Sequence, residues 1–471
     1  MEEQNRGWRG FSRAFWIANV VELLERAAWY GVFIALILYL SRILYFDDVT
    51  AGFIGGVLTA GLYFLPPFSG ALADRIGFRA ALLLAFGLLT IGYGGMWVVP
   101  ALLERGGLVL YGEDTISLGL RESHLKWTIL PTLLIVMVGG SFIKAVITGT
   151  VAKETSESNR AKGFSIFYAM VNIGAFSGKT IVKPLRDSLG NAGLLQLNLV
   201  AATCTLLALV LVFFIYRSAR AVETKRSFRE TFEGMVRLLA QPRLTVLIII
   251  VSGFWIVQHQ LYAAMPKYVI RMAGEAQAPS WYANVNPLVV VLTVSLVTHM
   301  MRRRSALLSM TVGMFIMPVA ALCMALGNLI GDATFLNLHP IAFMMIAGIA
   351  FQALAESFIS PRFLEYFSLK APKGEEGLYL GYSHLHSCIS SIVGFPLSGY
   401  LLQRYCPDPT LVEETTDNPV FLSAGDWAAS SGDAHYLWFI YMGISFLAGI
   451  GLLLFGLVTA DRSGGVGVAR A

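Results

Sequence analysis

Apolar residues in this chain gather into long unbroken runs, neither alternating with polar positions nor confined to one helical stripe. The runs fall at 14–40, 50–72, 80–103, 127–152, 163–185, 192–216, 244–264, 283–301, 305–330, 339–363, 378–403 and 435–458. A helix crossing a hydrocarbon core needs about 20 such residues, so the pattern predicts twelve membrane-spanning helices. A barrel is excluded, because its strands of about ten alternating residues would not give runs this long. The longest internal polar break, 217–243, divides the runs six and six. The expected organisation is an N-terminal six-helix bundle over 1–216, a linker over 217–243 and a C-terminal bundle over 244–471. Within the linker, Phe228, Phe232, Met235, Leu238 and Leu239 recur at helical spacing, which predicts a short amphipathic helix on the membrane surface.

Composition agrees. Of 471 residues, 56% are hydrophobic and 14% charged, with 30 Phe and 46 Gly. Soluble proteins carry about 25% charged residues, so a soluble fold could not cover this apolar surface. Disorder and collagen are excluded by the same numbers, and a disulfide scaffold by the presence of 4 Cys. Cys204, Cys323 and Cys388 lie in apolar runs and Cys406 in a loop, which suits packing roles and no zinc site. The stretch Met1 to Arg13 has no apolar core, so the first span is expected to serve as its own targeting signal.

The net charge of +5 would suit nucleic acid, but the basic residues sit in short loops. With the N-terminus inside, the cytoplasmic segments hold 23 of the 35 Lys and Arg, and the opposite loops hold eight. Positive charge stays on the cytoplasmic side, so both termini are expected in the cytoplasm, in the plasma (inner) membrane. Membrane lipid is then a partner and nucleic acid is not.

After the second run the chain reads Gly70-Ala71-Leu72-Ala73-Asp74-Arg75-Ile76-Gly77-Phe78-Arg79. This resembles the major facilitator loop signature G-x-x-x-D-R-x-G-x-R. Gly70 permits close helix packing, and Asp74 could cap a helix N-terminus and pair with an Arg. Ordinary positive-inside anchoring explains Arg75 and Arg79 but not the spacing of Gly70, Asp74 and Gly77. The equivalent loop of the second half, Arg302-Arg303-Arg304, keeps the charge without the motif. The resemblance implies an all-α membrane protein of the major facilitator fold, two six-helix bundles in one chain.

A charged side chain at the bilayer centre costs about 2.5–3.5 kcal/mol on insertion scales, so each one needs a reason. The first run contains Glu22, Glu25 and Arg26, spaced i, i+3 and i+4 and therefore on one helical face. Lys144 lies in the fourth run and Glu356 in the tenth. At 1.5 Å per residue, Glu22, Lys144 and Glu356 lie about 6–7 Å to the same side of their span centres. Charges at one level on three helices predict a polar cavity between the halves. The plainer alternative is a salt-bridge network that holds helices together. His259 lies about 7 Å to the other side of its span centre, between Gln258 and Gln260, either of which could hydrogen-bond it. His384 and His386, at i and i+2, point different ways and suggest no metal. Lys179 and Lys183, near a helix end, are expected to snorkel to water.

These segments resemble the proton-coupled oligopeptide transporter family. Its first-helix E-x-x-E-R-x-x-x-Y pattern appears as Glu22, Glu25, Arg26 and Tyr30. Its fourth-helix lysine pattern is echoed by Gly140 to Lys144, with Ala145 in place of Pro. The fifth run, Gly163 to Phe176, matches closely, as do Tyr63 with Pro66, Phe254-Trp255, Asn286-Pro287 and Glu356 to Pro361. The resemblance implies that Glu22, Glu25 and Arg26 couple protonation to conformation and to a peptide carboxylate. It implies that Lys144 attracts that carboxylate, that Glu356 takes the peptide amino group, and that Tyr30, Tyr63, Tyr168, Asn172 and Asn286 line the pocket. Three positions depart from the family: Phe33 stands where members often carry Arg, His259 where they often carry an acid, and Ser383 where Trp is common. Phe33 and His259 replace a pair at the outer gate, which makes His259 the candidate for a pH-sensitive element there.

The expected function is proton-coupled symport of di- and tripeptides by alternating access, by a monomeric carrier with the proton as coupling ion and no cofactor or metal. The second reading is a carrier of the same family for another amphipathic solute, such as a modified amino acid, nitrate or a siderophore-like peptide. No H-E-x-x-H, G-x-S-x-G or phosphate-cradling loop supports an enzyme.

Overall fold

Each of the twelve apolar runs is helical in the computed structural model, which describes residues 10–112, 115–155, 159–216, 228–330, 337–372, 375–408 and 431–460. Helix α1, Arg13–Arg42, starts where the Ser12 hydroxyl accepts from the Phe15 amide. Helix α2, Asp48–Phe64, starts at Asp47, whose carboxylate accepts from the Val49 and Thr50 amides. Helix α3, Pro66–Ile76, continues the same span after a 47° bend. Pro66 and Pro67 lack the N–H that the helical ladder needs, which accounts for the bend.

Helix α4 is Phe78–Arg105. Strands β1 (Val109–Leu110) and β2 (Ile116–Ser117) then pair antiparallel, with Val109 opposite Ser117, a small ribbon that the all-α expectation lacked. Strands this short carry no readable alternation. Helices α5 (Leu130–Glu154), α6 (Arg160–Leu189) and α7 (Ala192–Phe214) follow. Helix α8, Phe228–Leu239, is the linker helix. Its apolar residues divide between two faces: Met235 and Leu238 are buried, whereas Phe228, Phe232, Val236 and Leu239 are exposed.

The seventh run is broken into α9 (Pro242–Gln258), α10 (Gln260–Ala263) and α11 (Met265–Ala273). The eighth comprises α12 (Pro279–Tyr282) and α13 (Val285–Met301). Helices α14 (Ala306–Leu329) and α15 (Pro340–Lys370) follow. The eleventh run breaks at His384 into α16 (Glu376–Ser383) and α17 (Leu385–Tyr405), and α18 is His435–Ala460. Among the described residues, ten helices are long and apolar enough to cross a membrane, and eleven when α2 and α3 count as one span. Helix α6 falls outside that count.

The chain divides into two compact units, Met1–Gly234 and Met235–Ala471. Residues 217–227 of the expected linker lie outside the described residues. In the first unit α1 packs on α6 and α7, and α4 on α5 and α7. The α1–α6 contact is made through glycine: a Cβ on Gly174 would collide with the Leu23 carbonyl, and one on Gly178 with that of Ala27. In the second unit α14 packs on α15 and α18, and α9 on α17 and α18.

Candidate functional site

Helix α1 turns Glu22, Glu25 and Arg26 into one buried cluster. Arg26 Nε lies 3.1 Å from Glu22 Oε1, and its terminal nitrogen binds Glu25 Oε2. All three side chains are buried. One cation between two carboxylates can accommodate a proton on either acid while the other keeps its ion pair, which is the arithmetic a proton-responsive switch needs. Tyr30, one turn further, carries on the same face. Phe33 is buried and stacks on Trp29, with ring centres 4.6 Å apart.

Helix α6 brings Tyr168 and Asn172 together one turn apart, and the Asn172 amide donates to the Tyr168 carbonyl at 2.8 Å. Tyr168 is exposed. The expectation that Lys179 snorkels to water is overturned, because Lys179 is 1% exposed and its Nζ sits 5.5 Å from the centre of the Tyr30 ring. Lys183 does approach the helix end, where it meets Asp187 at 2.7 Å. Tyr63 is half-buried on α2. Lys144 belongs to α5, and its side chain lies outside the described residues.

In the loop signature, Gly77 joins α3 to α4 with φ +87°, a conformation that favours glycine. Asp74 lies in the last turn of α3, and the residue that starts α4 is Gly77, so Asp74 does not cap that helix. Arg79 is the signature residue with a long reach: it donates to the Phe213 carbonyl at 2.7 Å, at the end of α7. Gly70 is half-buried on α3, and Arg75 lines a cavity of about 240 Å³ with Leu65, Phe68, Leu72 and Phe228.

In the second unit, Glu356 on α15 and Asn286 on α13 meet, with the Asn286 amide 3.1 Å from Glu356 Oε2. Gln258 donates to the same oxygen at 2.8 Å, and the Gln352 amide donates to the Gln258 carbonyl at 3.0 Å. Neither glutamine stood out as a site residue in the sequence. The signal was present, since an amide side chain inside an apolar span needs a hydrogen-bond partner.

His259 is buried where α9 gives way to α10. Its Nδ1 lies 3.3 Å from the Ser390 hydroxyl and 3.4 Å from that of Ser391, both on α17. The expected partners are engaged elsewhere: Gln258 with Glu356, and Gln260 with the carbonyls of Ile256 and Gly394. Trp255 and Phe395 flank the imidazole, with ring centres 6.1 and 5.9 Å away. His386 donates from Nδ1 to the Ser383 carbonyl, and its Nε2 lies 2.9 Å from the Ser387 hydroxyl.

The Major Facilitator Superfamily profile matches residues 19–338. Multidrug resistance protein MdtH of Aeromonas hydrophila is 24% identical over 360 residues, covering 72% of this chain and 82% of that protein. Solute carrier family 15 member 1 of Canis lupus familiaris is 29% identical over 183 residues, 38% of this chain and 25% of that one. Among solved structures, one of the proton dependent oligopeptide transporters aligns with a TM-score of 0.65 at 17% identity, covering 94% of this chain and 99% of its own. A POT family transporter in complex with 5-aminolevulinic acid aligns with a TM-score of 0.68 at 17% identity, covering 96% and 98%. The fold is shared with these two solved structures along nearly its whole length.

Proposed function

The chain belongs to the major facilitator superfamily, as an integral membrane transporter and not an enzyme, and we propose that it carries di- and tripeptides together with protons by alternating access. The observation that carries this reading is the buried Glu22–Arg26–Glu25 cluster. Charges inside a span are costly and mark function, and two acids sharing one cation can exchange a proton for an ion pair. Proton uptake on one acid loosens its pair with Arg26, and Arg26 then becomes available to a substrate carboxylate.

The two ends of a peptide zwitterion need opposite charges. Arg26 and Lys144 on the first unit suit the carboxylate, and Glu356, fixed by Gln258 and Asn286, suits the ammonium. Tyr30, Tyr63, Tyr168 and Asn172 supply polar contacts for peptide bonds among apolar walls. His259, at the break in the seventh span, is the pH-responsive element of this scheme. The protein works as a monomer in the plasma membrane with both termini in the cytoplasm, although a relative crystallises as a tetramer. Its coupling ion is the proton, and no cofactor enters the cycle.

A second reading is favoured by a specific neighbour. One structure of the same fold holds 5-aminolevulinic acid, an amino acid analogue with the two charged ends of a peptide. A carrier for such an amphipathic solute would keep the same charge requirements. Uptake of a labelled dipeptide into proteoliposomes under an imposed inward proton gradient tests the first reading. Accumulation that collapses with a protonophore supports it. Absence of dipeptide uptake, together with gradient-driven uptake of 5-aminolevulinic acid, would replace it by the second.

A further inference from the structure

Neither the coupling cluster nor the expected peptide contacts use the cavity of about 240 Å³ beside Arg75. It lies in the first unit, bounded by α3, α5 and the first residue of α8. Leu65, Phe68, Leu72, Val138, Phe142 and Phe228 supply apolar walls. Two serines also line it, but each hydroxyl has spent its donor. Ser69 donates to the Ser141 carbonyl at 2.8 Å, and Ser141 to the Val138 carbonyl at 2.7 Å. Among the described lining residues Arg75 is the charged one, and none is acidic.

The rim of the cavity is open and apolar. Leu72 and Val138 are each about two-fifths exposed, and Phe228 is 60% exposed with its ring centre 4.8 Å from that of Phe68. On a membrane-spanning unit, exposed apolar surface of this kind meets acyl chains. Arg75 is exposed as well, in the last turn of α3, so a cation stands directly beside an apolar recess.

The electrostatics favour an anion there. The neighbouring arginines are engaged, Arg79 with the Phe213 carbonyl and Arg229 with Glu233 at 2.6 Å. Arg75 has no ion pair among the described residues. The sequence leading into α8 adds Arg217, Arg220, Lys225 and Arg226 against the single acid Glu223. Basic residues clustered next to a span attract anionic lipid headgroups. Other occupants fit less well. A helix, about 10–12 Å across, is too wide for the recess. A peptide zwitterion lacks an acid for its amino end, and a bare phosphate leaves the apolar walls unfilled.

We propose that this cavity binds an anionic phospholipid, with a stretch of one acyl chain against Phe68 and Phe228 and the headgroup phosphate on Arg75. A zwitterionic lipid offers the same phosphate but brings its own cation towards the arginine, so the site prefers net negative charge. The bound chain touches both α3 and the start of α8. The site is independent of which solute the protein carries.

The test is native mass spectrometry of the purified full-length protein titrated with phosphatidylglycerol or with phosphatidylcholine of the same chains. Glycerol 3-phosphate serves as the headgroup without a chain. Wild type is expected to bind phosphatidylglycerol about fivefold to tenfold more tightly than phosphatidylcholine, the effect of one charge near an anionic headgroup. Arg75→Gln should remove most of that preference, whereas Arg302→Gln, in the basic loop of the second unit, should keep it. Ala71→Leu and Leu72→Trp, which fill the cavity from α3, should weaken both lipids at least threefold. Glycerol 3-phosphate should displace neither. A preference that survives Arg75→Gln, or that falls equally in Arg302→Gln, overturns the proposal in favour of general surface charge. Unchanged lipid affinity in the filled variants overturns the acyl-chain seat, and displacement by glycerol 3-phosphate reduces the site to a phosphate contact. Thermal unfolding checks each variant, and since Leu72 is at the exposed rim, Leu72→Trp decides alone should Ala71→Leu not fold.

Discussion

The side-chain amide of Gln258 donates to Glu356 Oε2 across 2.8 Å, and Asn286 reaches the same oxygen at 3.1 Å. Donors from α9 and α13 thus fix one oxygen of a carboxylate on α15, while Gln352 holds the backbone of Gln258 in place. The carboxylate is oriented before any ligand arrives, and orientation is what a point contact with an ammonium needs.

Gln258→Leu should therefore weaken binding of an unblocked dipeptide roughly threefold to tenfold, the worth of one hydrogen bond at about 0.5–1.5 kcal/mol. The same variant should not change affinity for an N-acetylated dipeptide. Titration of both ligands decides, and equal weakening of the two would remove Gln258 from amino-end recognition. In Glu356→Gln, blocking the amino end should cost nothing further.

Lys144→Ala is expected to lower peptide affinity roughly tenfold to a hundredfold, a charged contact of about 1.5–3 kcal/mol, and to abolish uptake. Size-exclusion profile and thermal unfolding of the purified variant check that it stays folded. Uptake at the wild-type rate would end the assignment of the carboxylate to Lys144.

Glu22→Gln and Glu25→Gln each leave Arg26 with one acidic partner that can still ionise. Concentrative uptake should be lost in both, and counterflow exchange, which needs no proton gradient, should persist. If either variant still accumulates peptide against its gradient, that acid is not needed for coupling.

His259 is buried against Trp255 and Phe395, with Nδ1 facing the Ser390 and Ser391 hydroxyls. As a pH-responsive element it predicts a pH profile of uptake that changes in His259→Gln. An unchanged profile in that variant would leave proton sensing to Glu22 and Glu25, with His259 serving to join α9 to Ser390 and Ser391.

Gly178→Val would drive two methyl groups into the Ala27 carbonyl and should destabilise the protein by about 1–3 kcal/mol. Gly87→Ala is the control, since a Cβ there meets nothing within 4 Å. A thermal-unfolding difference between the two variants checks the prediction.

The spans were legible because a hydrocarbon core imposes a length that no loop imitates. The Glu22–Arg26–Glu25 ion-pair cluster was legible because i, i+3 and i+4 spacing fixes a face before any packing is known. Lys179 was misread for the opposite reason: distance from a helix end says nothing about which side of the helix a neighbour occupies, and Gly178 on Ala27 decides that. The break at His259 was hidden too. No proline or glycine marks it, and the polar trio Gln258, His259 and Gln260 reads as a side-chain pattern, although the backbone changes course there. Gln258 reads as a candidate partner of its neighbour His259, whereas the carboxylate it meets lies on a helix almost a hundred positions away.

Helices α1 and α6 touch backbone to backbone at Gly174 and Gly178. Helix α1 bears the acids and the arginine, and α6 bears Tyr168, Asn172 and Lys179. With no side chains between the two helices at these points, neither has a soft layer on which to slide or roll past the other. The pair would then move as a single lever, and under the proposed roles a proton taken up by Glu22 or Glu25 and a ligand held on α6 would act on the same part. Coupling between them then needs no chain of intermediate residues, because the two events tilt one object.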